Sequence, residues 1–557
     1  MSSRLINTIR ASIIGENTAI ETAFGSKPLI YADYAASGRS LGIIEDFIRQ
    51  KVLPYYANTH TETSFTGAQT SALREEARQQ IRAAVNGSDD DQIIFCGSGA
   101  TAAIDKLITI LNLQLPAELD ARYPLEQQIP DAERPVVFIG PYEHHSNELP
   151  WRESLAEVVR IPLTSGGQID LVQLELELQS YQHRSLKIGS FSAASNVTGV
   201  KTAVDTVARL LHSYGVLSFW DYAAAGPYVD IDMTGQVDAQ GDTSKDAVFL
   251  SPHKFTGGPG TPGILIVKKA LLKNRVPAVP GGGTVVYVTP EDHRYIDDPE
   301  RREEGGTPAI VESIRAGLVF KLQQDVGIAE IARREASFIA RALARWSRFD
   351  AIEILGDLDA PRLSIASLRI QYQGKDLHYG FVVALLNDLF GIQSRGGCSC
   401  AGPYGHSLLG MDMAYSKALE AQLLQGQMLL RPGWVRLNFN YFLDEATFEY
   451  LVRAVELVAE YGGRLLPYYQ FDAEAGVWRY QAVRIPLATR LSDLDFSESL
   501  EAQPGLEAEL PLQEYLRLAR EELQRENRSA KRYQLALPAA AEALRWFVLP
   551  QEVGSVA

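Results

Sequence analysis

Between residues 92 and 269 the chain alternates short apolar runs with longer amphipathic stretches. The runs are "QIIFCGSG", "RPVVFIGPYEHH", "EVVRIPL", "KIGSFSAASN", "VLSFWDYAAAG", "AVFLSPHK" and "GILIVKK". They are continuously apolar, the pattern of strands buried on both faces, and the stretches between them leave room for helical crossovers. The pattern predicts an α/β fold with a mostly parallel sheet and flanking helices. Gly97 to Thr101, His144, Asn196, Asp221 and Lys254 all fall at or just past the carboxyl end of a predicted strand. Ligands of open α/β sheets bind at those ends, so these endings predict a single crevice.

After the first run, "LQLPAELDARYPLEQQIPDAERP" is polar and punctuated by proline, which predicts a surface insertion. Beyond Pro308 long helical stretches such as "IAEIARREASFIARALARW" mix with strand-like "RLSIASLRIQY" and "WVRLNFNYF". These changes predict an N-terminal segment over 1–30, a large domain over 31–295, a smaller α+β domain over 296–465 and an extension over 466–557. The extension carries an amphipathic stretch, "LQEYLRLAREELQREN", a closing "ALRWFVLP", and no catalytic pattern.

Composition narrows the classes of partner. The chain has 557 residues, 46% apolar and 22% charged, and a net charge of −16. So acidic a surface argues against nucleic acid and anionic membranes as partners. No apolar stretch approaches the ~18 residues that span a bilayer. The amino terminus, "MSSRLINTIRASIIGENTAIE", has too short an apolar run for a secretory signal. Three cysteines are too few for a disulfide framework or a closed four-cysteine zinc site. No metal is expected, and the expected compartment is the reducing cytosol.

The chemistry begins with "LSPHKFTGGPGTPGILIVKK". Lys254 closes the apolar run Ala247 to Leu250 and is followed by Gly257, Gly258, Gly260 and Gly263, which free the backbone for close approach. A partly desolvated lysine at a strand end is the usual former of a Schiff base. "GSGAT" at 97–101 is a glycine-rich turn opening a helix, which offers N–H groups to a phosphate; such turns also serve purely structural ends. Asp221 is suited either to hold a pyridine nitrogen protonated or to cap a turn. His144 is suited to stack on a flat ring and relay protons, or to a surface or core role. Taken together, phosphate cup, ring carboxylate, imidazole and lysine describe pyridoxal 5'-phosphate.

These stretches resemble the class V aminotransferase-fold enzymes, and within them the cysteine desulfurase and selenocysteine lyase group. The matching segments are "YADYAAS" (31–37), "GSGATAAID" (97–105), "EHHSNELPW" (143–151), "SNVTG" (195–199), "WDYAAA" (220–225), "SPHK" (251–254), "GGGT" (281–284), "EGGTPA" (304–309), "RGGCSCAGP" (395–403) and "VRLNFNYF" (435–442). The resemblance implies the fold type I of pyridoxal-phosphate-dependent transferases, with residues 31–295 as the cofactor domain. It implies that Lys254 carries the cofactor, Asp221 partners its ring nitrogen and His144 stacks on the ring. Thr101, Ser251, His253 and the backbone at Gly99 and Ala100 would hold the phosphate, and Asn196 would touch cofactor or substrate. Thr307 would reach the phosphate of a second subunit, which implies a homodimer. Arg436 would clamp the substrate carboxylate, Arg395 would anchor the cysteine loop, and Cys400 would be the nucleophile. The glycine-rich, polar "GGCSCAGPYG" is expected to be a flexible, exposed loop, in which an extended backbone would turn Cys398 and Cys400 to the same side.

The chain departs from the family pattern in three places. Ala224 stands where the family commonly has glutamine, the lysine turn carries an extra residue, and Cys398 stands where a histidine is common. The implied reaction takes sulfur from cysteine, leaving alanine and a persulfide on Cys400 for a sulfur-acceptor protein. The alternatives are β-elimination, epimerisation or amino transfer with the loop cysteines as bystanders, and a binding protein that has lost catalysis. Retention of Lys254, Asp221, His144 and Arg436 together argues against the last.

Overall fold

A computed structural model describes residues 2–59, 62–486, 488–497 and 508–554. The chain divides into two compact units: Met1–Ile14, Tyr34–Arg334 and Asp359–Leu363 form the first, and Gly15–Asp33, Glu335–Leu358 and Ser364–Ala557 form the second.

In the first unit the continuously apolar runs become one seven-stranded sheet. Its strands are β1 (Asp91–Cys96), β2 (Val136–Ile139), β3 (Glu157–Arg160), β4 (Lys187–Ser192), β5 (Leu217–Asp221), β6 (Ala247–Leu250) and β7 (Gly263–Lys268). The spatial order is β1-β7-β6-β5-β4-β2-β3, and β7 runs antiparallel to both of its neighbours while the rest are parallel. All residues of β1, β2 and β6 are buried. A fully buried Val, Leu, Ile or Phe side chain contributes roughly 1.5–3 kcal/mol, so these runs form the core of the unit. Register sets the level of the strand ends: Ser192 lies opposite Asp221, and Asp221 opposite Phe249. The loops after β4, β5 and β6 therefore leave the sheet side by side.

Helix α1 (Phe65–Ala84) begins at Ser64, whose side chain accepts from the Gly67 N–H. It packs closely on α3 (Ile310–Val326), where a Cβ on Gly317 would stand 2.5 Å from the Ala77 Cα. Between them in sequence, α2 (Gly99–Ile110) follows β1 directly.

The outer row of β1 is satisfied by side chains. The Ile93 N–H donates to Glu300 and the Phe95 N–H to Glu304, both at 2.7 Å. Arg82 Nε donates to the Asp91 carbonyl at 3.2 Å, and Arg78 donates to the Ile93 carbonyl. Glu304 is itself paired with Arg74 at 2.6 Å and Arg78 at 3.1 Å. Burial works to raise the Glu304 carboxyl, but the Arg78 and Arg74 charges outweigh it and hold it below the usual carboxylate range.

The second unit holds an antiparallel sheet of β8 (Ile352–Ile354), β9 (Ile365–Tyr372), β10 (Arg395–Gly397) and β11 (Trp434–Asn438), in the order β8-β9-β11-β10. Helix α4 (Tyr379–Phe390) starts at His378, whose ring accepts from the Gly380 N–H. It ends at Gly391 in the left-handed region, φ 67°, where a Cβ would stand 1.9 Å from the Pro28 carbonyl oxygen. Helix α5 spans Glu445–Tyr461 and is capped by Asp444. The C-terminal stretch adds a hairpin, Tyr469–Asp472 with Val477–Tyr480, and a helix over Leu512–Gln524.

Candidate active site

The first unit gathers most of the candidate residues at the strand ends. Asp221 ends β5, is 4% exposed, and accepts from the Ala223 N–H at 2.7 Å. Turn-capping and ring-partner roles are thus compatible, since one carboxylate oxygen serves the turn. Burial pushes the Asp221 carboxyl up, while the Ala223 N–H and the Lys254 charge pull it back. Lys254 ends the short turn Pro252–Lys254 that follows β6 and is half-buried. Its charge also reaches His253, whose imidazole is lowered to about 4, by burial first and by Lys254 second. The turn is held from behind, where the His253 carbonyl accepts from the Gly38 N–H at 2.8 Å and from the Ser37 hydroxyl at 3.2 Å.

The phosphate cup is a cradle in which a side chain on Gly99 would not fit. Gly99 has φ +59°, and a Cβ there would stand 2.7 Å from Ser251 Oγ and 3.6 Å from His253 Nε2. The Ala100 N–H donates to Ser251 Oγ at 2.8 Å, and Thr101 Oγ1 lies 2.6 Å from Ser146 Oγ. Hydroxyls, imidazole and helix-end N–H groups thus converge on the amino end of α2, a donor set suited to a phosphate. With a buried carboxylate at the end of β5 and a lysine whose charge reaches it, these residues fit pyridoxal 5'-phosphate.

His144 precedes the short turn His145–Asn147, and its Nδ1 accepts from the Ser146 N–H at 3.1 Å. Its neighbour Glu143, which no sequence pattern marks, is buried. Glu143 accepts from the Ser192 N–H at 2.9 Å, the Ser192 hydroxyl at 2.6 Å, Asn147 Nδ2 at 2.7 Å and the Gly140 N–H at 3.2 Å. Burial raises its carboxyl to about 7 against the pull of Ser192 and Asn147. The network ties the His144 loop to the end of β4. Asn196 is 7% exposed in the tight loop after β4, where the Ser195 N–H donates to the Val200 carbonyl. Ala224, at the position where glutamine is common in the family, is 8% exposed. Thr307 is exposed, and its hydroxyl accepts from Asn58 Nδ2 at 3.3 Å.

The other candidates belong to the second unit. Arg395 on β10 lies directly opposite Arg436 on β11. Arg436 is 2% exposed and pairs with Asp33 at 2.6 Å. The aspartate in "YADYAAS" is therefore a partner of this guanidinium, which its sequence position did not reveal. Two guanidinium groups on facing strand positions offer the planar forks that suit a substrate carboxylate.

The segment after β10 differs from its expectation. Glycine richness predicts a flexible, exposed loop, but Cys398 and Cys400 are half-buried and Ser399 is 5% exposed. The Ala401 N–H donates to the Cys398 carbonyl at 3.2 Å, with Ser399 at φ 54° and Cys400 at φ 57°. This is a tight turn of the kind that ordinarily takes Asn-Gly. Two consecutive left-handed residues that are not glycine cost roughly 1–2 kcal/mol each. The cysteines are thus held in a strained turn, and the alternation of an extended segment does not govern where their side chains point. The third cysteine, Cys96, is buried at the end of β1, and its thiol is pushed up to about 12 by burial.

Comparison with known proteins gives the family. The profile of the class-V aminotransferases matches residues 30–414. A probable cysteine desulfurase of Halalkalibacterium halodurans is 29% identical over 392 residues, covering 69% of this chain and 87% of the relative. A probable cysteine desulfurase of Streptomyces coelicolor is 25% identical, covering 67% and 84%. Among solved structures, a cysteine desulfurase of Thermococcus onnurineus superposes with a TM-score of 0.65 at 20% identity, covering 82% of this chain and 98% of that one. The Escherichia coli cysteine desulfurase CsdA gives 0.61 at 21% identity, with the same shares. The fold is accordingly the type I fold of pyridoxal-phosphate-dependent enzymes. The chain belongs to the class-V aminotransferase family and is an enzyme that works with pyridoxal 5'-phosphate. Among the described residues no helix is long and apolar enough to cross a membrane.

Proposed function

We propose that the enzyme is a cysteine desulfurase, taking sulfur from free cysteine to leave alanine and a persulfide on Cys400. One observation carries the substrate reading: the strand that places Arg395 opposite Arg436 runs straight into the turn that holds the two thiols. The names of the relatives support the same reading.

When bound, the cofactor supplies an electron sink that weakens the bond between the substrate's sulfur and its Cβ. Ser251, Thr101, His253 and the Gly99 and Ala100 N–H groups hold the phosphate. Asp221 would keep the ring nitrogen protonated, and His144 and Asn196 would help to hold the ring. Arg436 binds the substrate carboxylate, with Arg395 steadying the strand. Lys254 Nζ anchors the cofactor and moves protons at the substrate carbon. The Cys400 thiolate attacks the substrate sulfur, an S–S bond forms as the C–S bond breaks, and the electron pair left on carbon takes a proton to give alanine. In this reading Thr307, exposed beside the glycine pair of "EGGTPA", completes the phosphate site of a second copy, and the active unit is a homodimer. The persulfide sulfur passes to an acceptor protein.

The test is a product assay with free cysteine. Alanine and a persulfide in equal amounts are expected, and Cys400→Ser should lose alanine formation while keeping the cofactor's absorbance. Pyruvate and ammonia, at a rate unchanged in Cys400→Ser, would replace this reading with β-elimination.

A further inference from the structure

The C-terminal stretch lies outside the part of the chain that matches the family profile, and its final segment is attached to the elements around the cysteine turn. The Leu544 carbonyl accepts from the Tyr415 hydroxyl at 2.8 Å, Trp546 Nε1 donates to the Leu430 carbonyl at 3.0 Å, and the Val548 N–H donates to the Asp376 carbonyl at 2.9 Å. Between these anchors the Trp546 indole stacks on the Tyr379 ring at 6.1 Å, with 11° between their planes. The His378 and Trp546 rings are also stacked, 5.4 Å apart.

Tyr379 in turn lies against β10. A Cβ on Gly396 would stand 2.7 Å from Tyr379 Cδ2, and one on Gly433 would stand 2.9 Å from Tyr379 Cε1 and 2.6 Å from the Gly397 Cα. The ring is therefore in direct contact with the backbone that leads into Cys398. Burial raises the Tyr379 phenol, Arg431 works the other way, and the charge of Cys398 adds to the rise, so both groups lie within electrostatic reach of the ring. The turn that this contact supports is the strained one, with Ser399 and Cys400 in the left-handed region. Such strain persists only where the surroundings over-determine the backbone. Here the surroundings are Gly396 and Gly397, which have no side chains of their own to pack, covered by an aromatic ring that a second aromatic ring holds in place.

We infer that Tyr379 and Trp546 are positioning residues for the sulfur-transfer cysteines, and that the C-terminal stretch acts in catalysis by fixing the geometry of the Cys398–Cys400 turn. The catalytic part of this inference rests on the desulfurase reading. The positioning part concerns thiol reactivity and stands without it.

The test compares wild type, Trp546→Ala and Trp546→Phe as full-length cofactor-loaded enzymes. Alkylation of each cysteine by iodoacetamide is followed by peptide mass spectrometry, with buried Cys96 as an internal gauge of folding. Loss of the indole should relax the turn and change the alkylation rate of Cys398 and Cys400 by about five-fold or more, while Cys96 stays unreactive. Trp546→Phe should restore most of the wild-type rate, which loss of structure in general would not predict. In the same variants kcat for alanine should fall by about five-fold with KM for cysteine nearly constant, because the substrate's carboxylate clamp is untouched. Loop thiols that react at the wild-type rate in Trp546→Ala would overturn the inference. Should Cys96 become reactive in Trp546→Ala, Tyr415→Phe carries the decision, since it removes one hydroxyl from the same segment. An alkylation rate raised by about two-fold supports the inference, and an unchanged rate overturns it. If wild type makes no alanine, the desulfurase reading fails while the alkylation comparison still decides whether the segment positions the turn.

Discussion

Gly263→Ala probes the phosphate turn through a contact whose size is known. Gly263 opens β7, and its N–H donates to the Gly97 carbonyl at 2.8 Å. A Cβ added there would stand 2.1 Å from the Gly99 carbonyl oxygen, 2.7 Å from its carbon and 3.0 Å from its Cα. Non-bonded carbons rest roughly 3.5–4.0 Å apart, so the backbone at Gly99 must retreat by about 1 Å. Neither side can yield by turning a side chain, because both are backbone. Overpacking of this kind costs ~1–3 kcal/mol, which for a unit of this size lowers Tm by about 2–10 °C. The displaced atoms belong to the turn whose N–H groups face the phosphate, and a misplacement of about 1 Å can cost 10²-fold in activity. Absorbance titration with pyridoxal 5'-phosphate should show weaker binding, and thermal unfolding a lowered Tm. Gly260→Ala is the control: it has φ +84° and nothing within 4 Å of an added Cβ, so it should lose a little stability and no affinity. Wild-type affinity in a folded Gly263→Ala enzyme would refute the argument that this close approach sets the cup.

Asp221→Asn keeps the turn bond to Ala223 but removes the buried charge; the cofactor should still bind while turnover falls by about 10²–10³-fold, checked by spectrum and product assay. Arg436→Lys replaces a fork by a point charge and leaves Asp33 less well paired, so KM for the amino acid should rise about ten-fold with a smaller change in kcat. Glu304→Gln breaks a buried pair and should cost ~3–5 kcal/mol at pH 7. Because the folded Glu304 carboxyl lies below its unfolded value, its contribution is present above the unfolded pKa, about 4.3, and is lost as pH falls through the lower folded value. Denaturant unfolding should therefore show the gap between wild type and Glu304→Gln closing below about pH 4, and a gap independent of pH would contradict the ion-pair account.

The strands were legible because burial on both faces leaves no polar alternation to confuse the period, and all seven predicted runs became strands of one sheet. Asp221 and Lys254 were legible for a related reason: a polar side chain that closes an apolar run stands out against it. Glu143 did not stand out, because it sits beside two histidines in "EHHSN" and its two donors from Ser192, 49 residues away, are brought to it only by the fold. The Asp33–Arg436 pair joins residues 403 apart in sequence, beyond any local pattern. The cysteine turn was misjudged because glycines signal freedom in isolation, whereas at Gly396 they make room for a ring. Tyr379 and Trp546 gave no sequence signal, since they lie 167 residues apart and only the fold stacks their rings.

The carboxylates along β1 have a consequence for how copies of this protein can meet. A bare sheet margin is a template on which another chain can crystallise strand by strand. Here Glu300 and Glu304 take the Ile93 and Phe95 N–H groups, and Arg78 and Arg82 the Ile93 and Asp91 carbonyls, so an incoming strand would find those positions along β1 already filled. That seal is made of charge, and acid is its solvent. As Glu304 takes up a proton its hold on Arg78 and Arg74 weakens, and the margin becomes adhesive while the rest of the sheet is still intact. Aggregation in acid should then begin from nearly folded molecules, in the form of sheets lengthened at one side.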